Sequence, residues 1–365
     1  MITSMHIENF KCFKEFDIEL GPFNVLIGPN DTGKTAFLQA VRLAGVSVPG
    51  SMPLSGISNL AGFDMSESFW QAEKKNPIRL HLECKWQDPE ANDVQMTLNY
   101  RVDEKRLGQG MVEVTIKPSD GAAKPGIFNS ENVPSKAEEH FSNWLRNTAY
   151  YSLDPRQLRK PSLHAAVLSE IGEGLPALLE SILRADRERF LALEKHFYRR
   201  FPSYSRVELP LAKIKREADG IGLSFQTRQG KLLTAESVSD GVMLSLAFLA
   251  ITYQLCPPRM LLIEEPETGV HHASLKDIVE TLKQLSEEKG VQVILTTHSP
   301  YLLDHIEPKD VYVFSKDPEG AVHAKKLSDH PDVEDMRKHF MTGEMWTGLE
   351  EEGDFLSKLK LGGQK

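Results

Sequence analysis

Apolar and polar positions alternate through Ile2 to Phe10 and again through Phe16-Asp17-Ile18-Glu19-Leu20, then give way to the nearly unbroken apolar run Phe23-Asn24-Val25-Leu26-Ile27. Alternation predicts strands with one wet face, and a continuous run predicts a strand buried on both. A helical pattern follows from about Lys34 to Ala44. Three further alternating runs, Ile78-Leu80-Leu82-Cys84-Trp86, Val94-Met96-Leu98-Tyr100-Val102 and Val112-Val114-Ile116, predict a mostly antiparallel sheet. Gly, Ser and Pro crowd residues 45 to 62 and 118 to 135, which predicts two long connectors. Leu175, Leu178, Leu179, Ile182, Leu183, Phe190, Leu193 and Phe197 fall near helical spacing, so the stretch from about 137 to 200 reads as a helical lobe, interrupted near Thr148 to Pro155 and at Pro176. Alternation returns at Val207 to Ile214 and at Ile221-Leu223-Phe225-Thr227. Heptads are not sustained, which excludes a long coiled-coil arm. The class is α/β.

Composition narrows the setting. A chain of 365 residues can bury one large core or two modest ones, and its formal charge of −9 argues against coating nucleic acid through overall charge. Local basic clusters lie at Arg156-Arg159-Lys160, Arg184-Arg187-Arg189, Lys195-His196-Arg199-Arg200 and Lys213-Lys215-Arg216, most of them interleaved with acids, as in the i,i+4 pair Glu180 and Arg184. Direct contact with DNA is left open. No apolar run approaches the length of a membrane span, and the N-terminus lacks the layout of a signal peptide, so the expectation is a cytoplasmic protein with no membrane partner. Cys12, Cys84 and Cys256 read as reduced core residues.

The chemistry starts where the buried strand ends. Gly28-Pro29-Asn30-Asp31-Thr32-Gly33-Lys34-Thr35, followed by a helix opening with Ala36, has the strand-loop-helix context of a P-loop. Two glycines let successive N–H groups face a phosphate, Lys34 supplies charge to its β/γ oxygens, and the Thr35 hydroxyl is the expected ligand of Mg²⁺. Met260-Leu261-Leu262-Ile263 runs into Glu264 and Glu265: the first is placed to hold Mg²⁺ or its water, the second to deprotonate an attacking water. A third strand, Val291 to Thr296, ends at Thr297-His298-Ser299-Pro300, where His298 is expected to sense the γ-phosphate. His271 and His272 start a helix, where adjacent rings diverge, and no third ligand is suitably spaced. Finally, Glu236-Ser237-Val238-Ser239-Asp240-Gly241 precedes the apolar run Val242 to Leu255, giving a helix N-terminus suited to an anion, with Ser239 or Ser237 as its cap.

The order of these motifs resembles the ABC-type ATPases of the SMC/RecF/OLD group, in particular the compact ATPases beside DNA-repair and phage-defence genes. Ile7-Glu8-Asn9-Phe10-Lys11-Cys12-Phe13 is similar to the group's first strand, and Tyr150-Tyr151-Ser152-Leu153-Asp154-Pro155 resembles the segment that takes the place of the Q-loop. The resemblance implies a P-loop NTPase head with a β subdomain and an inserted helical lobe: core at 1–134 and 205–325, lobe at 135–204, tail at 326–365. It implies ATP and Mg²⁺ as ligands, Lys11 among the nucleotide-binding residues, and catalysis by Lys34, Glu265 and His298. Ser239 and Gly241 of one subunit would close over ATP held by Gly28 to Ala36 of another, giving a homodimer that hydrolysis opens. Two departures stand out: Val238-Ser239-Asp240-Gly241-Val242 in place of Leu-Ser-Gly-Gly-Gln, and Glu264 in place of Asp. Both occur in the OLD-like branch and argue against a transporter subunit. The stretch after Pro308 is too short for a Toprim domain, so a nuclease or other effector is expected on a separate chain. The function expected is a nucleotide-driven dimer switch in DNA repair or antiphage defence; the alternatives are the nucleotide-binding subunit of a transporter and a low-turnover dimerisation module.

Overall fold

The computed structural model describes residues 1–46, 67–72, 75–87, 93–103, 113–118, 126–127, 136–164, 167–214 and 218–351. The predicted connectors at 45–62 and 118–135 lie almost wholly outside them. In chain order the strands are β1 (Ile2–Phe10), β2 (Phe13–Glu19), β3 (Phe23–Ile27), β4 (Ile78–Gln87), β5 (Asp93–Val102), β6 (Glu113–Pro118), β7 (Gly126–Ile127), β8 (Thr148–Tyr151), β9 (Tyr204–Glu208), β10 (Leu211–Ile214), β11 (Ala218–Ile221), β12 (Ser224–Thr227), β13 (Leu232–Thr234), β14 (Met260–Glu264), β15 (Gln292–Thr296), β16 (Val311–Lys316) and β17 (Val322–Lys326). The helices used below are α1 (Lys34–Val46), α2 (Lys136–Arg146), α3 (Pro155–Leu158), α4 (Leu175–Ala185), α5 (Arg187–Arg200), α6 (Asp240–Tyr253) and α7 (Leu275–Lys289). None of the described helices is long and apolar enough to cross a membrane. The chain divides into two compact units, one of Met1–Thr148, Arg259–Leu262 and Gln292–Lys365, the other of Ala149–Pro258 and Ile263–Val291.

The first unit holds two sheets. One runs β2-β1-β4-β5-β6-β7 with every pair antiparallel, as the alternating runs predict. In the other, β17-β16-β3-β15-β14 are successive neighbours. There β3 is flanked on both sides by parallel partners, β15 and β16, and all five of its residues are buried, which is why its sequence is apolar rather than alternating. Asn24 is the exception that explains itself: its amide closes the Gly21 turn through Gly21 N and O, both at 2.8 Å, and reaches the Val293 carbonyl at 3.1 Å. Gln292, buried in β15, does the same for the chain start, accepting from Ile2 N at 2.8 Å and donating to Ile2 O at 2.7 Å. Phe13, Phe16, Phe37 and Phe314 form one aromatic cluster with centroids 4.6 to 6.0 Å apart, so β2, α1 and β16 are packed together around the loop after β3.

The second unit centres on α6. Val242 to Thr252 are all buried, so this helix is apolar around its whole circumference and forms a core rather than a face. Helix α7 ends at Gly290, whose left-handed φ of 64° caps it. Arg200, at the end of α5 in one of the basic clusters, turns inward: its guanidinium donates to Thr281 Oγ1 at 2.6 Å and pairs with Asp277 at 3.3 Å, both on α7. The Glu180–Arg184 pair forms as expected. Two small antiparallel sheets, β10-β11 and β13-β12-β9, complete the unit, the second tied to α5 through the rings of Phe197, Tyr204 and Phe225. Of the cysteines expected in the core, Cys84 is buried and Cys12 intermediate, but Cys256 is exposed, because it follows the end of α6 beside the exposed Leu255.

Candidate functional site

The loop from Gly28 to Thr35 is fixed by close packing at its two glycines. Gly28 has φ +152°, and a Cβ there would lie 2.2 Å from the Phe314 carbonyl oxygen; Gly33 has φ +89°, and a Cβ there would lie 2.7 Å from Cys12 Sγ. Neither position admits another residue without moving its neighbour, which is the geometric reason for glycine at both. Asp31 also lies in the left-handed region, φ 64°, completing the curl. Thr32 Oγ1 donates to the Pro29 carbonyl at 2.8 Å, and Lys34 Nζ turns back to donate to the carbonyls of Gly28 and Pro29 at 2.8 and 2.9 Å. The buried Lys34 ammonium therefore lies across the concave side of the loop, while Thr35 is exposed in the first turn of α1. Phe37 N–H to Gly33 O, 2.8 Å, is an early hydrogen bond of α1, so the N–H groups before it point out of the helix end toward the loop. Ala36 sits among them. A curled loop with two obligate glycines, a buried ammonium and a helix N-terminus suits a polyphosphate, and the exposed Thr35 hydroxyl suits a hard cation such as Mg²⁺.

His298 belongs to the same unit. Thr296 of β15 pairs with Leu26 of β3 in parallel, so His298 and Gly28 both lie two residues beyond that register at the carboxyl ends of adjacent strands. His298 is exposed, whereas Thr297 before it is fully buried and ties to Leu26 O through its N–H at 3.0 Å. Lys11 is placed differently. Its backbone is left-handed, φ 52°, its N–H donates to Ser68 O at 2.7 Å, and its Nζ donates to Gln39 Oε1 at 2.5 Å, one turn along α1 from the loop. Burial holds its ammonium below the usual lysine range. Sequence reasoning missed Lys316, whose Nζ lies 2.5 Å from Asp31 Oδ2; a partner 285 positions away leaves no local signal.

In the second unit the two carboxylates part ways. Glu264 Oε2 accepts a hydrogen bond from the Tyr150 hydroxyl at 2.5 Å. Glu265 has φ 45°, a left-handed backbone on a non-glycine residue, immediately before Pro266. Such a conformation costs about 1–3 kcal/mol and concentrates at functional sites. The turn continues with Thr268 N–H to Glu265 O at 3.1 Å, and the Gly269 that follows packs on Asp240: a Cβ at Gly269 would lie 3.3 Å from Asp240 Oδ2. Ser239, rather than Ser237, holds the cap position of α6, but its side chain makes no capping hydrogen bond and is exposed. Gly241 lies 3.7 Å, by its would-be Cβ, from Val270. The rings of His271 and His272 do not diverge; their centroids are 4.1 Å apart, because the pair enters a 3₁₀ turn at 272–274 instead of a regular helix.

Comparison with known proteins fits this picture. A family model described as "AAA domain, putative AbiEii toxin, Type IV TA system" matches residues 122–304, half of the chain, and one described as "AAA ATPase domain" matches residues 1–145. The OLD nuclease of Thermus scotoductus is 21% identical over 385 residues, taking in 94% of this chain and 68% of that protein. For the Old nuclease of Escherichia phage P2 the figures are 21% over 384 residues, 90% and 61%. The chain thus spans about two thirds or less of the length of these relatives. In fold it is similar to the Smc head bound to the C-winged helix domain of ScpA, with a TM-score of 0.58 at 14% identity over 90% of this chain and 98% of that one. The SMC head domain from Thermotoga maritima gives 0.51 at 13% over 89% and 98%.

Proposed function

Because this chain belongs to the AAA-domain family and is an ABC-type ATPase of the SMC/RecF/OLD group, we propose that it binds and hydrolyses ATP with Mg²⁺. The observation that carries this reading is the Gly28–Thr35 loop, curled over the Lys34 ammonium and opening onto the N-terminus of α1. Mg²⁺, held by the Thr35 hydroxyl and Glu264, would offset negative charge on the β- and γ-phosphates. Lys34 supplies a second positive charge to the same oxygens. Glu265 takes the proton of the attacking water, and His298 hydrogen-bonds the γ-phosphate. Ser239 and Gly241 engage nucleotide held by a second copy, so the functional unit is an ATP-sandwiched homodimer acting as a switch. Its setting is repair or antiphage defence with a separate effector or nuclease chain, in keeping with the OLD nucleases it is similar to.

Two substitutions test the chemistry. Lys34→Ala removes the ammonium from the loop and abolishes ATP binding by calorimetry. Glu265→Gln keeps the side-chain shape but not the base, so binding persists while turnover falls about 10²-fold or more. Unchanged ATP affinity in Lys34→Ala overturns the loop assignment; wild-type turnover in Glu265→Gln overturns the base.

A further inference from the structure

Residues 150 to 159, which begin with the segment resembling a Q-loop, form a short bracket within the second unit. At one end the Tyr150 hydroxyl is bonded to Glu264. The chain then turns through the Asp154 cap of α3, whose Oδ1 accepts from Arg156 N at 2.8 Å, and arrives at Arg159. The Arg159 side chain is only 13% exposed, and its guanidinium spreads over the stretch that leads into α6. Nε donates to the Ala235 carbonyl at 3.0 Å, while one terminal nitrogen donates to the Val238 carbonyl at 2.7 Å and to Asp240 Oδ1 at 2.6 Å.

Those acceptors flank Ser239 on both sides. One rigid fork therefore fixes the turn that presents Ser239, and a lysine, with a single point charge on a flexible stem, cannot reproduce the three directions. A loop clamp of this kind would serve stability alone if the residue it holds were used by the fold. Ser239 is not: it is exposed and leaves its capping bond unmade. The other end of the same bracket holds the carboxylate beside Glu265.

We propose that Arg159 is a positioning residue for the ATPase reading above, on which this inference rests: it sets Ser239 and Gly241 in the shape that engages nucleotide on a second copy. It then acts on turnover and assembly and not on nucleotide uptake by its own loop. Arg159→Gln should keep ATP affinity within about twofold of wild type and lower turnover at least about tenfold, the scale of loss that misplacement by an ångström causes. Arg159→Lys should remain impaired. Should Arg159→Gln prove insoluble, Asp240→Asn, which weakens one of the three acceptors at a half-exposed position, should shift turnover in the same direction with ATP affinity unchanged.

Mixing provides a readout that a merely structural role would not move. Full-length Arg159→Gln has an intact ATP loop and a damaged Ser239 turn; Lys34→Ala has the reverse. Alone, Lys34→Ala is inactive and Arg159→Gln runs at about a tenth of the wild-type rate or less, but a mixed dimer has one wholly intact pairing, so an equal mixture should reach about a quarter of the wild-type rate if half the dimers are mixed and each has one working site of two. Wild-type turnover in Arg159→Gln, or no regain on mixing, overturns the inference while the ATPase reading stands. A wild-type protein that turns over no ATP overturns that reading and this inference with it.

Discussion

Gly28→Ala is the sharpest test of how the loop is built. The added methyl meets two separate costs. Its φ of +152° is one that L side chains rarely adopt, and the Cβ would lie 2.2 Å from the Phe314 carbonyl oxygen, more than 1 Å inside van der Waals contact. The obstacle is backbone in β16, itself held by pairing of Val313 with Ile27, so it cannot rotate aside as a side-chain tip could. Overpacking of this kind costs about 1–3 kcal/mol and a disfavoured backbone about 1–3 kcal/mol more, so a loss of roughly 2–6 kcal/mol is expected. Gly320→Ala is the internal control. Its φ is +85°, but nothing lies within 4 Å of a Cβ there, so only strain remains and the loss should stay near 1–2 kcal/mol. Urea unfolding of the two variants and wild type, followed by far-UV dichroism, measures both, and calorimetry with ATP measures what the displaced loop still binds. A Gly28→Ala protein within 0.5 kcal/mol of Gly320→Ala, or one with wild-type ATP affinity, would refute the reasoning, as that margin is below the smallest crowding cost assigned.

Three further outcomes are expected. Asp31 is 91% exposed, so its pairing with Lys316 adds little stability, but it puts a negative charge in a loop proposed to take up ATP: Asp31→Asn should raise ATP affinity and Lys316→Met lower it, both effects shrinking in high salt. Salt-independent affinities would contradict this. Desolvation works to lower the His6 pKa, yet hydrogen bonds to Asp17 and Glu8 together outweigh it and raise the pKa above 6.5; the stability this contributes is present in full below that value and lost as pH rises through the folded-state pKa, so His6→Gln should destabilise more at pH 5 than at pH 9. An equal difference at both pH values would exclude the linkage. Ser239→Ala should leave unfolding free energy within a few tenths of a kcal/mol, against about 1 kcal/mol for a serine that caps its helix, while turnover falls; a loss near 1 kcal/mol would mean that Ser239 serves the fold.

Much of the architecture was legible because burial imposes period. β1 runs over the residues its alternation marks, and β3 is buried on both faces as its apolar run requires. Period fails where a single residue redirects the chain. Val207 to Ile214 reads as one alternating run, yet Pro210, with no N–H to donate, divides it into β9, which pairs with β12, and β10, which pairs with β11. Pro176 does not break a helix but opens one, since the first turn of α4 needs no N–H there. The site divides along the same line. Lys34, Glu264, Glu265, His298 and Ser239 announce themselves because chemistry-bearing types sit where an element ends, whereas Arg159 and Lys316 look like ordinary surface cations until tertiary structure supplies acceptors 76 to 285 positions away.

The residues read as functional lie where elements end, and at Ser239 the side chain also makes no capping bond for the helix it opens. Thr35, His298 and Ser239 are exposed at the ends of otherwise buried elements, and Ser239 forgoes a cap worth about 1 kcal/mol. Glu265 goes further and carries a left-handed backbone that any L residue there would pay for. By contrast Asn24, Gln292, Arg159 and Arg200 spend their polar groups on backbone or buried partners. Selection for stability alone would cap α6 and relax the turn after β14. The uncapped Ser239 and the left-handed Glu265 are what the proposed ATPase role would explain, and Arg159, through Ala235, Val238 and Asp240, would hold the turn that carries Ser239.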